Sequence, residues 1–404
     1  MIKTLFTRSN LVAFAALIVV VVSTFAFLGN VSFQPRVSTD RIAVTSTANS
    51  LPRDLMDHEP GGSGSIQPKL VGQDYANDKK AYLAAPYKVN VGIYSVNNYD
   101  VDLSVPSYSA KGYIWFKWNQ QLQDYMDESG LKIEDVLTPV NLLGSSADQP
   151  FVPIGDSPEE LEKGEYWQVF TYHGNFFIDQ LSLQHFPFNQ IALPLVIEAD
   201  DPDGSLSYEG LRITPDLDQS GIGAYSAING YSDLGFTMGE YKHFYTTNFG
   251  QGGPAEDYSQ LIFRVVYGSS VWSSFWTMIQ PLAIVMAMIV VVSRIQHDIW
   301  DVRVGIPATV LLTLVFLQQS YKAGLPTLPY LTFLDEVYVV CYVLTLVAFV
   351  LTIWAGKKRF DINRLNDQAQ IDLMERRIEQ FDRFWPAAVI GIGFLSIALC
   401  WVLE

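Results

Sequence analysis

The chain has 404 residues and a formal net charge of −16, with 13% aromatic and only 17% charged residues. This length accommodates two or three domains, and so few charges beside long apolar runs are typical of a membrane protein. The acidic balance excludes nucleic acid as a partner. Both cysteines, Cys341 and Cys400, lie in apolar runs, so we expect no disulfide in the chain before residue 271.

The N-terminal segment 1–28 predicts export. An apolar run, 11–28, follows the basic residues Lys3 and Arg8, which is the pattern of a secretory signal peptide or of an uncleaved N-terminal anchor. Residues 29–86 are rich in Ser, Thr, Asp, Pro and Gly, and we interpret them as a flexible linker or N-terminal extension.

Residues 87–270 predict an antiparallel β-sandwich. Short runs dense in Val, Ile, Tyr, Phe and Trp alternate there with turn residues. The predicted strands are 88–96, 110–118, 166–172, 190–197, 211–214, 236–246 and 259–267. Between residues 29 and 270 there are 31 acidic and 14 basic residues, a balance of 14 − 31 = −17.

The remainder, residues 271–404, predicts a membrane domain of four transmembrane helices. Each of four apolar runs is about the 20 residues that cross a bilayer: 271–293, 302–321, 330–354 and 385–403. Basic residues cluster in the connection 355–383, which the positive-inside rule places in the cytoplasm. Its charged and apolar residues alternate as in an amphipathic helix, and the sandwich is then expected outside.

The second apolar run carries polar groups along one side. At a helical period, one stripe collects Asp301, Gly305, Thr309, Leu312, Phe316 and Gln319. Polar atoms in hydrocarbon are costly, so the stripe predicts either the lining of a water-filled pore or hydrogen bonds to neighbouring helices. The stripe alone leaves both interpretations open.

Three segments, in order, resemble the pentameric ligand-gated ion channels, the Cys-loop receptor superfamily. The first, QHFPFNQIALPLVIE, resembles the family's signature loop through Phe186, Pro187 and Phe188. Asn189 stands where an Asp is usual in the family. The cysteines that normally flank this loop are missing, as in bacterial members.

The two other segments extend the resemblance into the membrane domain. Residues 303–326 align without gaps to the second membrane helix of the anionic receptors, with a basic start, Val-Gly, and a closing Leu-Pro. Residues 325–335 (LPTLPYLTFLD) resemble the family's extracellular link into the third helix. Within the second helix Pro307 is unusual, and it is compatible with a helix only near the first turn.

The resemblance implies a fold and a function. The fold is an extracellular immunoglobulin-like antiparallel β-sandwich followed by a four-transmembrane-helix bundle, assembled as a homopentamer. The function is a ligand-gated ion channel of the bacterial inner membrane, with a periplasmic or extracellular sandwich that binds a small-molecule or ionic agonist. Expected partners are other copies of the chain, membrane lipid and permeating monovalent cations.

In such a pentamer each stripe residue becomes a ring. Rings of Leu312 and Phe316 predict a dry constriction that closes the pore by dewetting, and a ring of Asp301 carboxylates favours cations. Lys322 and the anion-receptor-like start of the helix oppose that selectivity. The resemblance assigns gating and coupling to the turn 101–106 and to the following residues: Phe186, Pro187, Phe188, Asn189, Arg264, Lys322, Leu325 and Pro326. In the family the counterpart of Arg264 bonds to the signature loop.

The resemblance also places a ligand pocket beneath the hairpin 246–258. Aromatic walls suited to a cationic ligand are predicted at Tyr241, Phe244, Tyr245, Phe249 and Tyr258, although strand aromatics also serve as sheet core. Clustered carboxylates predict either a Ca²⁺ site that modulates the protein or a solvated acidic turn; they are Glu198, Asp200, Asp201 and Asp203.

No catalytic constellation is visible in the sequence. The five histidines are scattered, and neither a metal-binding cysteine pattern nor a phosphate-binding loop is present, so we predict that the protein is not an enzyme and has no cofactor. One alternative remains, a non-conducting membrane receptor or sensor of the same architecture that signals through residues 356–383. The polar stripe favours the channel, because a sensor has no need of it.

Overall fold

A computed structural model describes most of the chain between residues 84 and 362. The described residues are 41–48, 84–144, 149–162, 164–179, 181–200, 204–248, 250, 255–292, 295, 299–362, 376, 391–393 and 395. They fall into two compact units. The strand unit comprises Pro35–Ser182 and Gln190–Ser270, and the helical unit comprises Leu183–Asn189 and the chain from Val271 onward.

The strand unit contains every predicted strand. Its strands are β1 Arg41–Ala48, β2 Tyr87–Asp102, β3 Ser107–Asn119, β4 Leu137–Pro139, β5 Leu142–Leu143, β6 Phe151–Glu162, β7 Glu165–Phe177, β8 Gln190–Ala199, β9 Leu211–Pro215, β10 Gly221–Ile222, β11 Tyr231–Phe244 and β12 Asp257–Ser269. Two short helices, α1 Gln120–Ser129 and α2 Ile133–Val136, join β3 to β4. The seven predictions match β2, β3, β7, β8, β9, β11 and β12, and the other elements were not predicted.

These strands form two sheets around one core. The five-stranded sheet has the order β1-β11-β12-β8-β4, and the seven-stranded sheet has β10-β2-β3-β7-β5, with β6 added to β7 and β9 added to β2. Most pairs are antiparallel, whereas β9 and β10 pair with β2 in parallel. Buried residues of both sheets belong to a single hydrophobic cluster, which is the arrangement of a β-sandwich.

The strands β8 and β12 of the five-stranded sheet are buried on both faces. In β12, Leu261 and Phe263 point into the shared core, whereas Gln260, Ile262 and Arg264 alternate with them and are also buried. On that second face Ile262 packs with Val196 of β8. Burial on both sides explains why β8 and β12 are nearly continuous runs of apolar residues.

The β1 strand differs from the prediction for its segment. Residues 41–48 were expected to be part of a flexible linker, yet they pair antiparallel with β11. The register runs from Arg41 opposite His243 to Ala48 opposite Thr237, with one irregularity between Ala43 and Thr45. A segment rich in Thr and Val has high strand propensity, and the edge of β11 supplies the partner that the sequence does not reveal.

A buried ion pair joins β9 to β11. The Arg212 guanidinium donates from Nε to Glu240 Oε1 at 2.6 Å and from a terminal nitrogen to Oε2 at 3.0 Å. The Ser259 hydroxyl also donates to Glu240 Oε1, at 2.6 Å. Tyr208 places its ring 4.2 Å from the guanidinium carbon. Two charges held out of water are stabilised by pairing of this kind.

The described part of the helical unit contains three helices long and apolar enough to cross a membrane. They are α3 Val271–Val292, α4 Trp300–Lys322 and α5 Phe333–Ile362, and α4 packs against both others. They match three of the four predicted spans within a few residues, except that α5 continues eight residues beyond its predicted end. The fourth span, 385–403, lies almost entirely outside the described residues, as does the N-terminal run 11–28.

Pro307 lies deeper in α4 than the first turn. The helix begins at Trp300, so the proline comes 307 − 300 = 7 residues later, and it is buried. Proline lacks the N–H that would bond to the Arg303 carbonyl, and its ring crowds that carbonyl. The helix therefore tolerates the proline through its packing and not through a favourable first-turn position.

Gly356 allows α5 to approach α4 closely. A Cβ at this position would overlap the indole ring of Trp300. We therefore expect Gly356→Ala to lower the free energy of unfolding by about 1–3 kcal/mol, the cost of overpacking, measured by urea unfolding of the full chain in detergent. Gly305→Ala is the matched control, because no neighbouring atom lies within 4 Å of its added methyl group. Equal stability of Gly356→Ala and wild type would contradict the close approach.

Candidate functional site

The α4 helix has two distinct faces. One face is buried against the neighbouring helices and comprises Arg303, Pro307, Val310, Leu314 and Tyr321. All six residues of the predicted stripe lie on the other, exposed face: Asp301, Gly305, Thr309, Leu312, Phe316 and Gln319. A single chain therefore leaves this stripe uncovered along the helix.

Two large apolar side chains dominate the exposed stripe. Leu312 is 57% exposed and Phe316 is 65% exposed, one helical turn apart. The hydroxyls nearby bond within their own helix, since Thr309 donates to the Gly305 carbonyl at 2.9 Å and Thr313 to the Thr309 carbonyl at 2.9 Å. In the single chain, the hydroxyls of Thr309 and Thr313 therefore donate within α4 and not to α3 or α5.

The end of α4 is joined to the start of α5 by Asp335. Its carboxylate, buried at 4% exposure, accepts hydrogen bonds from Gln318 Nε2 at 3.1 Å and from Lys322 Nζ at 2.9 Å. The hydroxyls of Tyr321 and Thr332 donate to it as well. Because Asp335 neutralises Lys322, the positive charge expected at this end of α4 is paired. The sequence did not predict this cluster.

The signature-like loop 183–189 caps the first turn of α5. The N–H of Phe333 donates to the Gln184 carbonyl at 2.7 Å, and the N–H of Leu334 donates to the Phe186 carbonyl at 3.2 Å. The next N–H, that of Asp335, donates to the Thr332 hydroxyl at 3.2 Å. The first N–H groups of a helix have no partner inside it, so this loop and Thr332 satisfy them from outside.

Aromatic contacts strengthen the same connection. The ring of Phe186 stacks on Tyr321 with centroids 6.1 Å apart, and Tyr321 stacks on Tyr338 at 5.4 Å. Phe188 lies 6.3 Å from Phe333. The loop also contacts α3 on its other side, where the Ser274 hydroxyl donates to a loop carbonyl at 3.0 Å. The loop thus contacts α3, α4 and α5, the three described helices of the helical unit.

Pro187 supplies that carbonyl, and the peptide bond before it is cis. Leu325 and Pro326 lie half-buried in the link between α4 and α5. Asn189 is 4% exposed, and neither polar atom of its amide has a hydrogen-bond partner. The sequence did not predict that this buried amide lacks hydrogen-bond partners.

Arg264 lies in the middle of β12, because that strand continues to Ser269. Its guanidinium donates to the Tyr241 hydroxyl at 2.8 Å. Arg264 belongs to the strand unit and the signature-like loop to the helical unit. The predicted bond between them stays a prediction.

The turn between β2 and β3 has a well-defined geometry. The Asp102 carboxylate accepts hydrogen bonds from the backbone N–H and the hydroxyl of Ser104, at 2.8 and 2.6 Å. These bonds from Ser104, followed by one from the Val105 N–H, hold the pKa of Asp102 below its ordinary value. Val105 remains exposed at the tip. The turn belongs to the segment predicted for coupling.

Glu198 collects three donors on the second face of the five-stranded sheet. Its carboxylate accepts from the Tyr245 hydroxyl at 2.6 Å and from Gln260 Nε2 at 2.8 Å. His243 Nδ1 lies 2.7 Å from the same carboxylate and donates to it, because a carboxylate can only accept. Glu198 of β8, His243 of β11 and Gln260 of β12 lie on neighbouring strands. They share this face because side chains alternate between the two faces of a sheet along each strand.

A cavity of about 400 Å³ opens beside this cluster in the strand unit. Its lining includes Asn141, Phe177, Asp179, His243, Tyr245 and Gln260. The Oε1 atom of Gln260 is buried and has no hydrogen-bond partner. An acceptor in this state favours a ligand that brings a donor.

The predicted aromatic wall is only partly assembled. Tyr245 lines the cavity. The ring of Tyr258 packs edge-on against the ring of Tyr245, with centroids 5.5 Å apart. Tyr241 instead packs in the sheet with Val196. Phe244 ends β11, with Lys242 Nζ 5.3 Å from its ring. Phe249 lies outside the described residues. The sequence missed His243 and Gln260, which strand alternation and the register between β11 and β12 would have identified.

The proposed carboxylate cluster is partly described. Asp200 is exposed after β8, and Asp201 and Asp203 lie outside the described residues. Within the described part of the chain, no group of three or more His, Cys, Asp or Glu side chains could hold a metal ion. The three donors on Glu198 place that carboxylate in a hydrogen-bond cluster, and the Ca²⁺ site stays a prediction.

No family model matches the chain, and no curated protein matches it significantly.

Proposed function

We propose that the chain is the subunit of a homopentameric ligand-gated ion channel in a bacterial inner membrane, with four membrane helices in each subunit. One observation carries the proposal, the exposed stripe of α4. Its opposite face is buried by α3 and α5, yet a line from Asp301 to Gln319 has no cover in the single chain. Five copies around an axis would enclose this line as the lining of a pore.

The proposed gate is the pair of rings formed by Leu312 and Phe316. Both side chains are more than half exposed, so a five-fold arrangement brings large apolar groups to the axis at two successive turns. A narrow apolar constriction expels water, and ions do not cross without their hydration. Opening requires only a small outward movement of these rings.

The proposed selectivity is for monovalent cations. Asp301 is exposed at the start of α4, so five carboxylates would surround one mouth of the pore. Arg303 is only 3% exposed and lies on the buried face, and Lys322 is paired with Asp335. These two positive charges argued against cation selectivity in the sequence. In the proposed pore, neither of them needs to face the axis.

The proposed agonist is a small cation that binds at the cavity of the strand unit. Tyr245 supplies an aromatic wall, Asp179 a carboxylate, and Gln260 an unpaired acceptor. The end of β11 lies at this cavity, since His243 and Tyr245 line it, and a ligand bound there would displace the end of β11. In the helical unit, the loop 183–189 holds the start of α5, which makes it the proposed receiver of that movement.

The test is a reversal-potential measurement on purified protein reconstituted in planar bilayers. We expect a pentamer on cross-linking and currents that follow the monovalent cation gradient during scans of pH, Ca²⁺ and primary amines. Asp301→Arg should shift the reversal potential toward the anion value because it reverses the charge of the ring. Asp301→Glu is the matched control and should leave it unchanged. An unshifted value in Asp301→Arg would refute the role of this carboxylate.

A pentamer that stays silent throughout these scans, both as wild type and as Leu312→Ser with Phe316→Ser, would refute the channel. The result would favour the receptor or sensor of the same architecture, which signals through residues 356–383. Leu312→Ser with Phe316→Ser separates silence from a missing agonist, because polar rings should let the pore hydrate and conduct without ligand.

A further inference from the structure

The β11 strand has a second edge that its hairpin partner does not cover. One edge pairs with β12 along its whole length, and the other pairs with β1 between Thr237 and His243. The β1 strand is the last in the sheet order. Without it, β11 would present a row of unpaired backbone groups, which is a template for any extended peptide.

The attachment of β1 rests on backbone pairing. Its sequence, RIAVTSTA, has no aromatic residue, and its second half is Thr, Ser, Thr and Ala, so little apolar surface is available to bury. The register is interrupted once, between Ala43 and Thr45. Its partner β11 is far away in the sequence, so no hairpin turn joins the two paired strands. An occupant attached in this way is exchangeable.

We propose that the edge of β11 from Thr237 to His243 is a docking site for an extended peptide strand, and that Arg41–Ala48 of the same chain occupies it reversibly. Main-chain hydrogen bonds supply the affinity in this mode of recognition, and small β-branched side chains meet its steric demands. The segment occupies its own site because the tether raises its local concentration far above that of any competing peptide.

The docked strand reaches the rim of the cavity. Arg41 lies opposite His243, which lines the cavity and donates to Glu198. Two residues later β11 enters the hairpin through Tyr245. A strand attached along β11 therefore restrains the end of β11 beside the cavity, and its release frees that end. The regulatory meaning rests on the proposed function, but docking itself can be measured without any current.

Cross-linking tests where the strand docks. Ala48 and Thr237 are register partners, so Ala48→Cys with Thr237→Cys should form an intrachain disulfide in the full chain after Cys341→Ala and Cys400→Ala remove the native thiols. Ser46→Cys with Thr237→Cys is the control, because Ser46 pairs with Gly239 and lies two residues out of register. Equal yields in both pairs, or disulfide-linked dimers in place of the intrachain bond, would overturn the assignment.

Hydrogen exchange tests what the strand does. Successive N–H groups of a strand point to alternate sides, so Thr45→Pro with Ser46→Pro removes at least one bond to β11. We expect the amides of β11 between Thr237 and His243, and those of the following hairpin, to exchange at least tenfold faster. Thr45→Ser with Ser46→Thr keeps every N–H and should match wild type.

Rescue distinguishes release of the strand from misfolding. The free peptide RIAVTSTA at millimolar concentration should restore the protection of the β11 amides in the proline variant, and should not alter wild type, whose site is filled. Unchanged exchange in the proline variant would overturn reversible docking, as would failure of the peptide to restore protection. A silent protein with intact rescue would reject the channel while leaving the docking site in place.

Discussion

Glu240→Gln is expected to lower the free energy of unfolding of the strand unit by roughly 3–5 kcal/mol, the cost of leaving one member of a buried ion pair without its counter-charge. The amide keeps the size of the side chain and can still accept from Ser259. It cannot neutralise Arg212, whose side chain is 1% exposed. The Tyr208 ring beside the guanidinium offsets only a small part of that loss.

Guanidinium unfolding of the full chain in detergent, followed by near-ultraviolet circular dichroism, measures this effect. Asp257→Asn is the matched control, because it makes the same acid-to-amide change in the exposed pair of Lys242 and Asp257, 2.8 Å apart. That pair should contribute less than about 1 kcal/mol. Arg212→Met with Glu240→Met should recover most of the stability, since both charges leave together. Similar losses for Glu240→Gln and Asp257→Asn would contradict a special role for the buried pair.

The second large effect is expected at Asp335. Asp335→Ala should lower the free energy of unfolding by roughly 3 kcal/mol, since it removes the acceptor of several charge-assisted hydrogen bonds at once. It leaves the buried hydroxyl of Tyr321 without this partner and removes the acceptor of the Thr332 N–H, just before α5 begins. We expect the loop between α4 and α5 to exchange its amide hydrogens faster as well.

Urea unfolding in detergent and hydrogen exchange of residues 321–336 measure these changes. Lys322→Met is the control, since it removes a single donor from a side chain that is 43% exposed and should cost less than about 1 kcal/mol. If Asp335→Ala and Lys322→Met lower the free energy of unfolding equally, the salt bridge alone explains the contribution of Asp335. The other hydrogen bonds to its carboxylate are then unimportant.

Sequence reasoning was most accurate where one periodicity dominated. Every predicted strand was a short run with β-branched or aromatic residues, and each is a strand. The missed β6 has a single buried residue, Phe151, and otherwise exposed residues that include several acids, so neither alternation nor an apolar run marks it. The missed β1 becomes a strand only because β11 offers an edge. Pairing partners distant in sequence leave no local trace.

The predicted site shows the same division. The stripe of α4 depends on one helix and one period, and its six residues do share the exposed face. The cluster around Asp335 depends on how two helix ends and a link meet, which no period encodes. His243 and Gln260 were missed because their common partner, Glu198, lies on another strand whose register the sequence does not give. The helical period in the sequence predicted the exposed stripe of α4. The hydrogen-bond clusters around Asp335 and Glu198 depend instead on tertiary contacts.

Pro307 gives the α4 helix two mechanically distinct halves. The residues before it include Asp301 and Gly305, and those after it include Leu312 and Phe316. The hydrogen bond missing at the proline is one that would otherwise make the two halves turn as a single rod. Ion choice at one mouth and closure at the apolar rings would then depend on separate segments. In the proposed channel, a subunit built in this way would open and close while its charged ring kept a constant diameter.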